Sequence, residues 1–209
     1  KTLAAVASTS GDVRGGELAW TSALGFADRA TARPVTTDTP FRIASITKSF
    51  TATAILQLRD EGRLRLDDPV TAHLPEARAI ADPHGPIEEL TIRRLLTHTS
   101  GLQRDVPPDD LWQIPLYTED QLLARLDRVG VMAPPDTGWR YSNVAYNLLG
   151  IVVGRLAGEP FAAYVQRAIL DVADLRSTSF YPSGELSERG AWGYGPGRFE
   201  DDAIRSEPY

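Results

Sequence analysis

The chain has 209 residues, a net charge of −6 and no cysteine. Its acidic balance argues against a nucleic-acid-binding protein, which usually carries a basic patch or stripe, and without cysteine it can form neither disulfides nor thiolate metal sites. The histidines His73, His84 and His98 lack metal-ligand spacing, and no apolar run is long enough to cross a membrane.

The amino-terminal part of the sequence predicts β-strands. Residues 3–8 and 18–26 flank a Gly-rich turn at residues 11–16, which is typical of a hairpin. A short third strand is predicted at residues 41–43. Two or three strands need further strands to make a stable sheet. We therefore expect residues 1–44 to contribute the amino-terminal strands of an α/β domain.

The middle of the chain predicts helices. Over residues 45–61 the apolar side chains recur with the helical period, and Gly62 supplies a stop signal. Thr118 is a predicted helix cap, because acidic residues follow it in the first turn. Further helices are predicted at residues 91–96, 118–128, 144–156 and 161–170. Residues 45–175 should therefore form a mainly helical domain.

The carboxyl-terminal part offers little regular structure. Residues 178–181 predict a strand, and residues 182–197 are rich in Gly, Pro and Ser, which favours a loop. We expect residues 176–209 to be a return segment that leads to strands missing from this chain.

Ser45 and Lys48 are the first candidates for chemistry. Lysine occurs only at Lys1 and Lys48, whereas arginine supplies the other cationic side chains. A Ser and a Lys three residues apart lie on one helix face, and the lysine can act as base for a serine nucleophile. The alternative is that Ser45 caps the helix and Lys48 is solvated. A cation is unfavourable at a helix amino end, so this placement favours the catalytic interpretation.

Tyr141 and Asn143 are the second pair of candidates. They fall in a turn before the helix predicted at residues 144–156. A tyrosine hydroxyl beside a lysine can relay a proton to a leaving group, and an asparagine amide can orient the lysine and hold a substrate carbonyl. The alternative is that Ser142 or Asn143 caps the helix and Tyr141 packs in the core. The segment taken alone favours this alternative.

His98 and Ser100, in LLTHTSGL, invite a catalytic-triad interpretation. They fall at the end of a short predicted helix, before Gly101, which is a stop signal. The sequence suggests no acidic partner for the histidine. We therefore predict a structural turn here.

The order of these motifs resembles the serine β-lactamase and penicillin-binding-protein superfamily. Ser45-Ile46-Thr47-Lys48, HTSGL and Tyr141-Ser142-Asn143 follow one another as in its branch of class C β-lactamases, DD-carboxypeptidases, D-aminopeptidases and family VIII esterases. FRIASITKSFTATAILQLRDEGRLRLDDPV and YSNVAYNLLGIVV are especially similar to that branch. The resemblance covers the chain from about Leu3 to about Tyr181.

The resemblance implies an α+β fold of the β-lactamase/transpeptidase type, with an antiparallel sheet flanked by helices plus an all-helical domain. It implies a serine hydrolase that forms an acyl-enzyme on an amide or ester of a small-molecule, peptide or β-lactam substrate, without metal or cofactor. Ser45 would be the nucleophile, Lys48 its base and Tyr141 the proton shuttle, while Asn143 would bind substrate. The oxyanion would sit on the Ser45 backbone N–H and a second N–H from a strand. An extracellular or periplasmic location is favoured.

One departure qualifies the resemblance. The family's third motif, Lys or His, then Thr or Ser, then Gly, has no counterpart, because neither Lys nor His follows Asn143. We therefore expect a truncated chain with an incomplete sheet, whose missing strands a second chain could supply. The alternatives are a non-hydrolytic penicillin-binding-like sensor and an inactive fragment or one part of a split enzyme. Tyr-Ser-Asn, where class C β-lactamases usually have Tyr-Ala-Asn, favours a peptidase or an esterase.

Overall fold

A computed structural model describes residues 7–107, 117–195 and 204–206. The chain divides into two compact units. One unit is formed by Lys1–Ala44 together with Leu175–Tyr209, and the other is Ser45–Asp174.

The first unit contains β-strands and one short helix. The elements are β1 (Ser8–Arg14), β2 (Glu17–Leu24), β3 (Phe26–Asp28), β4 (Arg33–Pro34), α7 (Gly184–Arg189), β5 (Gly193–Gly195) and β6 (Ile204–Ser206). Among the described residues the strands pair antiparallel as three separate two-stranded sheets, β1 with β2, β3 with β4 and β5 with β6.

The β1–β2 hairpin turns at Gly15 and Gly16, where φ is 63° and 86°. A two-residue hairpin turn with positive φ at both positions favours glycine, which adopts this conformation without steric cost. The prediction that the turn begins at Gly11 is wrong, because Gly11 pairs with Thr21 inside the ladder. Of the first predicted strand, residues 3–6 lie outside the described residues.

Two short predicted strands are absent from the part of the chain that the structure describes. Residues 41–43 do not form a strand and lead directly into the turn at Ala44, where φ is 44°. Residues 178–181 form local turns instead: the Thr178 N–H donates to Leu175 O, and the Tyr181 N–H donates to Ser179 Oγ. Both predictions are wrong: residues 41–43 lead into the positive-φ turn at Ala44, and local hydrogen bonds replace a ladder at residues 178–181.

The loop predicted at residues 182–197 is also wrong in part. It contains α7 and β5, and residues 196–197 lie outside the described residues. An ion pair one turn apart, Arg189 Nε to Glu185 Oε1 at 3.5 Å, lies along α7.

The second unit is helical and contains a large apolar core. Its α-helices are α1 (Thr47–Asp60), α2 (Val70–His73), α3 (Ile92–Thr97), α4 (Glu119–Leu123), α5 (Asn143–Ala157) and α6 (Phe161–Val165). Helix α5 contacts α1, α2, α3 and α6. Its Leu148 and Leu149 are fully buried, as are Ile55 and Leu58 of α1. Each such side chain contributes about 1.5–3 kcal/mol by burial.

Two predicted helices end earlier than their patterns suggest. Helix α4 begins with a complete capping box, Thr118 with Gln121, but ends at Leu123, and a 3₁₀ helix follows at Leu126–Arg128. Helix α6 passes into a π-helix at Gln166–Leu170. In the described residues no single helix has the length and apolar character of a membrane span. Within the part of the chain that the structure describes, one pair of helical segments, α5 and Phe161–Leu170, has that length and apolar character when the two are taken together, and the pair is bent by 77°.

Candidate active site

Ser45 lies in a 3₁₀ turn, Ala44–Ile46, that leads into α1. The cap position of α1 is Ile46, and no side chain there accepts a capping hydrogen bond. Ser45 is exposed. The structure therefore places Ser45 outside the capping position that the alternative interpretation assigned to it, and its hydroxyl is available for other contacts.

The four residues singled out from the sequence lie together in the helical unit. Ser45 Oγ is 2.7 Å from the hydroxyl of Tyr141. Lys48 Nζ donates to Ser45 Oγ at 3.4 Å and to Asn143 Oδ1 at 2.8 Å, and it lies 4.8 Å from the centroid of the Tyr141 ring. The serine hydroxyl thus has a basic side chain and a phenol within reach of its proton.

The start of α5 fixes the position of Tyr141 and Asn143. Ser142 is the N-cap: its Oγ accepts from the Ala145 N–H at 3.0 Å and donates to Gln103 O at 2.7 Å. Of the two caps that the alternative interpretation offered, Ser142 or Asn143, the structure therefore shows Ser142. Tyr141 is half-buried rather than enclosed in the core. The hydroxyl of Tyr141 therefore remains free to contact Ser45.

Two residues of the site were missed by sequence reasoning. The Arg104 carbonyl accepts from the Asn143 and Val144 N–H groups at 2.7 and 3.2 Å. Asp105 Oδ1 accepts from Asn143 Nδ2 at 2.7 Å. This contact orients the amide so that Asn143 Oδ1 faces Lys48. No local sequence motif predicts that Arg104 or Asp105 belongs to the site. The one feature of the sequence that could have indicated them is their position directly after HTSGLQ.

Charge around Tyr141 favours its ionised form. Burial alone would raise the pKa of the Tyr141 phenol. Its interactions with Lys48 and Ser45, together with the positive charges of Lys48 and Arg104, outweigh burial and hold the pKa below the usual range. The Arg104 guanidinium carbon lies 6.0 Å from the centroid of the Tyr141 ring. The phenol therefore gives up its proton more readily than an ordinary tyrosine.

His98 forms a structural turn, as predicted, with the left-handed φ of 60° at the end of α3. It also contacts the site, which the sequence did not predict. Its Nδ1 accepts from the Ser142 N–H at 3.2 Å, and its ring centroid lies 4.7 Å from that of Tyr141. Burial lowers the pKa of the imidazole, and the charge of Lys48 lowers it further.

The described residues include no group of three or more His, Cys, Asp or Glu side chains placed to hold a metal ion. The chemistry that the site offers on its own residues is proton transfer to and from a serine hydroxyl.

Known proteins resemble this chain in sequence and in structure. The family model described as "Beta-lactamase" matches residues 5–209. Esterase EstB of Burkholderia gladioli is 38% identical over 179 residues, which cover 80% of this chain and 45% of the esterase.

Solved structures share the fold. The hydrolase EstCE1, described as having promiscuous acyltransferase activity, superposes with a TM-score of 0.78 at 29% identity, over 92% of this chain and 52% of that one. A β-lactamase/D-alanine carboxypeptidase from Yersinia pestis gives a TM-score of 0.73 at 28% identity, over 84% and 50% of the two chains. The predicted α+β fold of the β-lactamase/transpeptidase type is confirmed. This chain spans about half the length of the relatives it matches.

Proposed function

The chain belongs to the β-lactamase family, and from that premise we propose that it is a serine hydrolase that acts through an acyl-enzyme on an ester or amide. The observation that carries the proposal is the contact of Ser45 Oγ with both Tyr141 and Lys48, at 2.7 and 3.4 Å. An isolated serine hydroxyl is a weak nucleophile, and neighbouring groups that accept its proton activate it.

The proposed reaction has two halves. Ser45 Oγ bonds to the substrate carbonyl carbon while Lys48 takes the serine proton. Tyr141 then protonates the leaving oxygen or nitrogen as its bond to carbon breaks. In the second half, a water molecule attacks the acyl carbon and gives one proton to the Tyr141 oxygen. The bond between that carbon and Ser45 Oγ then breaks, Lys48 returns its proton to Ser45 Oγ, and a carboxylic acid is released. Asn143 holds Lys48 through Oδ1 and contributes to substrate binding.

Esters are the substrate class that we favour. D-alanyl peptides and β-lactams are the two other candidate classes to be assayed. The support comes from the relatives: EstB is named an esterase, at 38% identity, and EstCE1 is described as a hydrolase. The Yersinia pestis protein, named a β-lactamase/D-alanine carboxypeptidase, keeps the other two classes among the candidates.

Covalent labelling tests the proposal. Intact mass spectrometry with a fluorophosphonate and with a penicillin should show one adduct per chain, lost in Ser45→Ala. Ser49→Ala is the matched control, because Ser49 lies on the same helix, one residue after Lys48, and should label normally. The absence of any adduct with both reagents, or an adduct that survives in Ser45→Ala, would contradict the proposal. Labelling with at most one turnover of every ester, peptide and β-lactam would instead indicate a sensor.

We also propose that a second polypeptide supplies strands to the first unit. The β1–β2 hairpin supports this proposal, because its apolar residues Leu18, Trp20 and Leu24 are 65%, 57% and 63% exposed.

A further inference from the structure

His98 is a buried titratable group that the proposed mechanism leaves unused. The residue is 9% exposed. It ends α3 with a φ of 60°, in the left-handed region, which is uncommon for residues other than glycine but which histidine adopts more often than most. His98 is therefore a buried titratable residue in contact with Tyr141, whose hydroxyl contacts Ser45.

Four consecutive residues, 139–142, contact His98 in turn. The ring centroid of Trp139 lies 5.8 Å away, edge-on. The Arg140 N–H donates to His98 O at 2.8 Å. The ring of Tyr141 packs at 4.7 Å with a tilt of 36°. The Ser142 N–H donates to His98 Nδ1 at 3.2 Å. Backbone and side chain of one histidine therefore hold the whole segment that carries Tyr141.

This arrangement requires one protonation state. Because the Ser142 N–H donates, His98 Nδ1 must present its lone pair, so the proton of the neutral ring sits on Nε2. A protonated ring would set an N–H against the Ser142 N–H and remove the bond. The titratable and charged groups that face the ring are Lys48 from α1, Tyr146 from α5 and Tyr141 itself. Burial and the charge of Lys48 both lower the pKa of His98 and keep the ring neutral.

We propose that His98 is a positioning residue, whose neutral imidazole holds the hydroxyl of Tyr141 against Ser45 by stacking on the tyrosine ring and anchoring the Ser142 amide. The effect of His98 on the reaction rate rests on the proposed function. The effect of His98 on the position of Tyr141 does not, so the reaction rate and the position of Tyr141 are measured separately.

Two variants separate the contacts without straining the backbone. Glycine and asparagine both tolerate a φ of 60°. His98→Gly removes the ring and the acceptor. His98→Asn keeps an acceptor, because asparagine Oδ1 occupies the place of Nδ1, but removes the ring.

The pKa of Tyr141, followed by NMR of ¹³Cζ-labelled tyrosine, reports its position without catalysis. In the native chain it should lie below the ordinary range. In His98→Gly it should return to that range or above, because the phenol leaves Lys48 and Ser45, and His98→Asn should recover part of the lowering. An unchanged pKa of Tyr141 in a folded His98→Gly chain would overturn the proposal.

The tautomer of His98 is a second readout that needs no variant of that residue. The chain has three histidines, so ¹⁵N NMR should resolve them, and His84→Asn assigns the exposed one and serves as the control. His98 should show an unprotonated Nδ1 and a proton on Nε2 at neutral pH. A protonated Nδ1 would overturn the proposal even if His98→Gly failed to fold.

Stability and labelling complete the test. The pKa of His98 is lower in the folded chain than its unfolded value of about 6.5, so the unfolded chain binds the proton first as the pH falls. The contribution of His98 is therefore complete above about pH 6.5 and is lost progressively below it. His98→Asn should flatten this decline in urea unfolding, and His84→Asn should not.

The labelling rate of Ser45 should fall by about 10- to 100-fold in His98→Gly, because a misplaced catalytic group reacts far more slowly. It should recover partly in His98→Asn. A native chain that is never labelled would count against the proposed function, while the two NMR readouts would still decide the role of His98.

Discussion

Two tyrosines flank Lys48 and differ in what their hydroxyls do. Lys48 Nζ lies 4.8 Å from the ring centroid of Tyr141 and 5.5 Å from that of Tyr146. The Tyr141 hydroxyl meets Ser45, whereas the Tyr146 hydroxyl donates to the Leu96 carbonyl at 2.9 Å. Burial, followed by the charge of Tyr141, raises the pKa of Tyr146, opposite to the direction for Tyr141. The two phenols therefore differ in the partner of the hydroxyl and in the direction of the pKa shift, which is consistent with the proposed role of Tyr141 in proton transfer.

Removing each hydroxyl should separate these roles. Tyr141→Phe keeps the ring stacked on His98 but removes the proton carrier, so the labelling rate of Ser45 should fall by about 10²–10⁴-fold with little change in melting temperature. Tyr146→Phe should leave the rate close to native and lower stability by about 1 kcal/mol, the usual net value of one hydrogen bond. Equal rate losses in the two variants would show that the contact with Ser45 has no special role.

At the residue scale, the sequence predicted the residues that meet at Ser45 but not those that hold them in place. Lys48 was conspicuous because arginine supplies almost all other cations, and Tyr141 and Asn143 belong to a recognisable motif. Asp105 and His98 act on that motif through single contacts across 38 and 44 residues of chain. Contacts of that sequence separation depend on the fold and leave no periodic or local signature.

At the scale of elements, the N-terminus of α5 decides whether Ser142 can influence substrate choice. Ser142 is fully buried, at 0% exposure, and both hydrogen-bonding roles of its hydroxyl are occupied by backbone groups. A side chain in that position cannot touch a substrate. The difference between Tyr-Ser-Asn and Tyr-Ala-Asn, which favoured a peptidase or esterase at the level of sequence, therefore corresponds here to a helix cap.

Ser142→Ala should lower the free energy of unfolding by about 1–3 kcal/mol, because a cap is lost and the Gln103 carbonyl loses its donor. Urea unfolding measures this change. The ratio of the labelling rates with penicillin and fluorophosphonate should stay the same. Thr118→Ala, which removes the exposed cap of α4, is the matched control and should cost about 1 kcal/mol. A changed reagent ratio in Ser142→Ala alone would show that the cap interpretation is incomplete.

Helices were predicted better than strands for a physical reason. The signals that predicted α1 and α5, their apolar periods, and the signal that predicted α4, its cap, are each formed by residues close together in the sequence. The structure contains each of these helices near its predicted position. The strands predicted at residues 41–43 and 178–181 depended on ladder partners that local sequence does not specify. The early end of α4 was also not predicted, because no Gly or Pro signal marks it in the sequence.

At the scale of the whole molecule, apolar burial is distributed very unevenly. The main hydrophobic cluster lies entirely within the second unit, from Ala54 to Tyr164. In the first unit, the strands β1 and β2 are exposed or half-buried at every position. An isolated two-stranded hairpin is marginally stable in water, and local stability follows the density of buried apolar contacts.

Amide hydrogen-exchange rates should therefore differ strongly between the two units. Amides of α1 and α5 should exchange only by global unfolding, whereas those of β1 and β2 should exchange orders of magnitude faster through local opening. Hairpin amides that are as protected as those of α5 in the chain alone would contradict this prediction.

The proposed second polypeptide can be represented by the part of EstB that this chain does not match. Adding it should slow hydrogen exchange at the hairpin amides if it pairs with them, and the exchange rates of the α5 amides serve as the internal reference. Hairpin amides unaffected at saturating polypeptide would count against strand supply by the second chain, because pairing must convert open N–H groups into ladder hydrogen bonds.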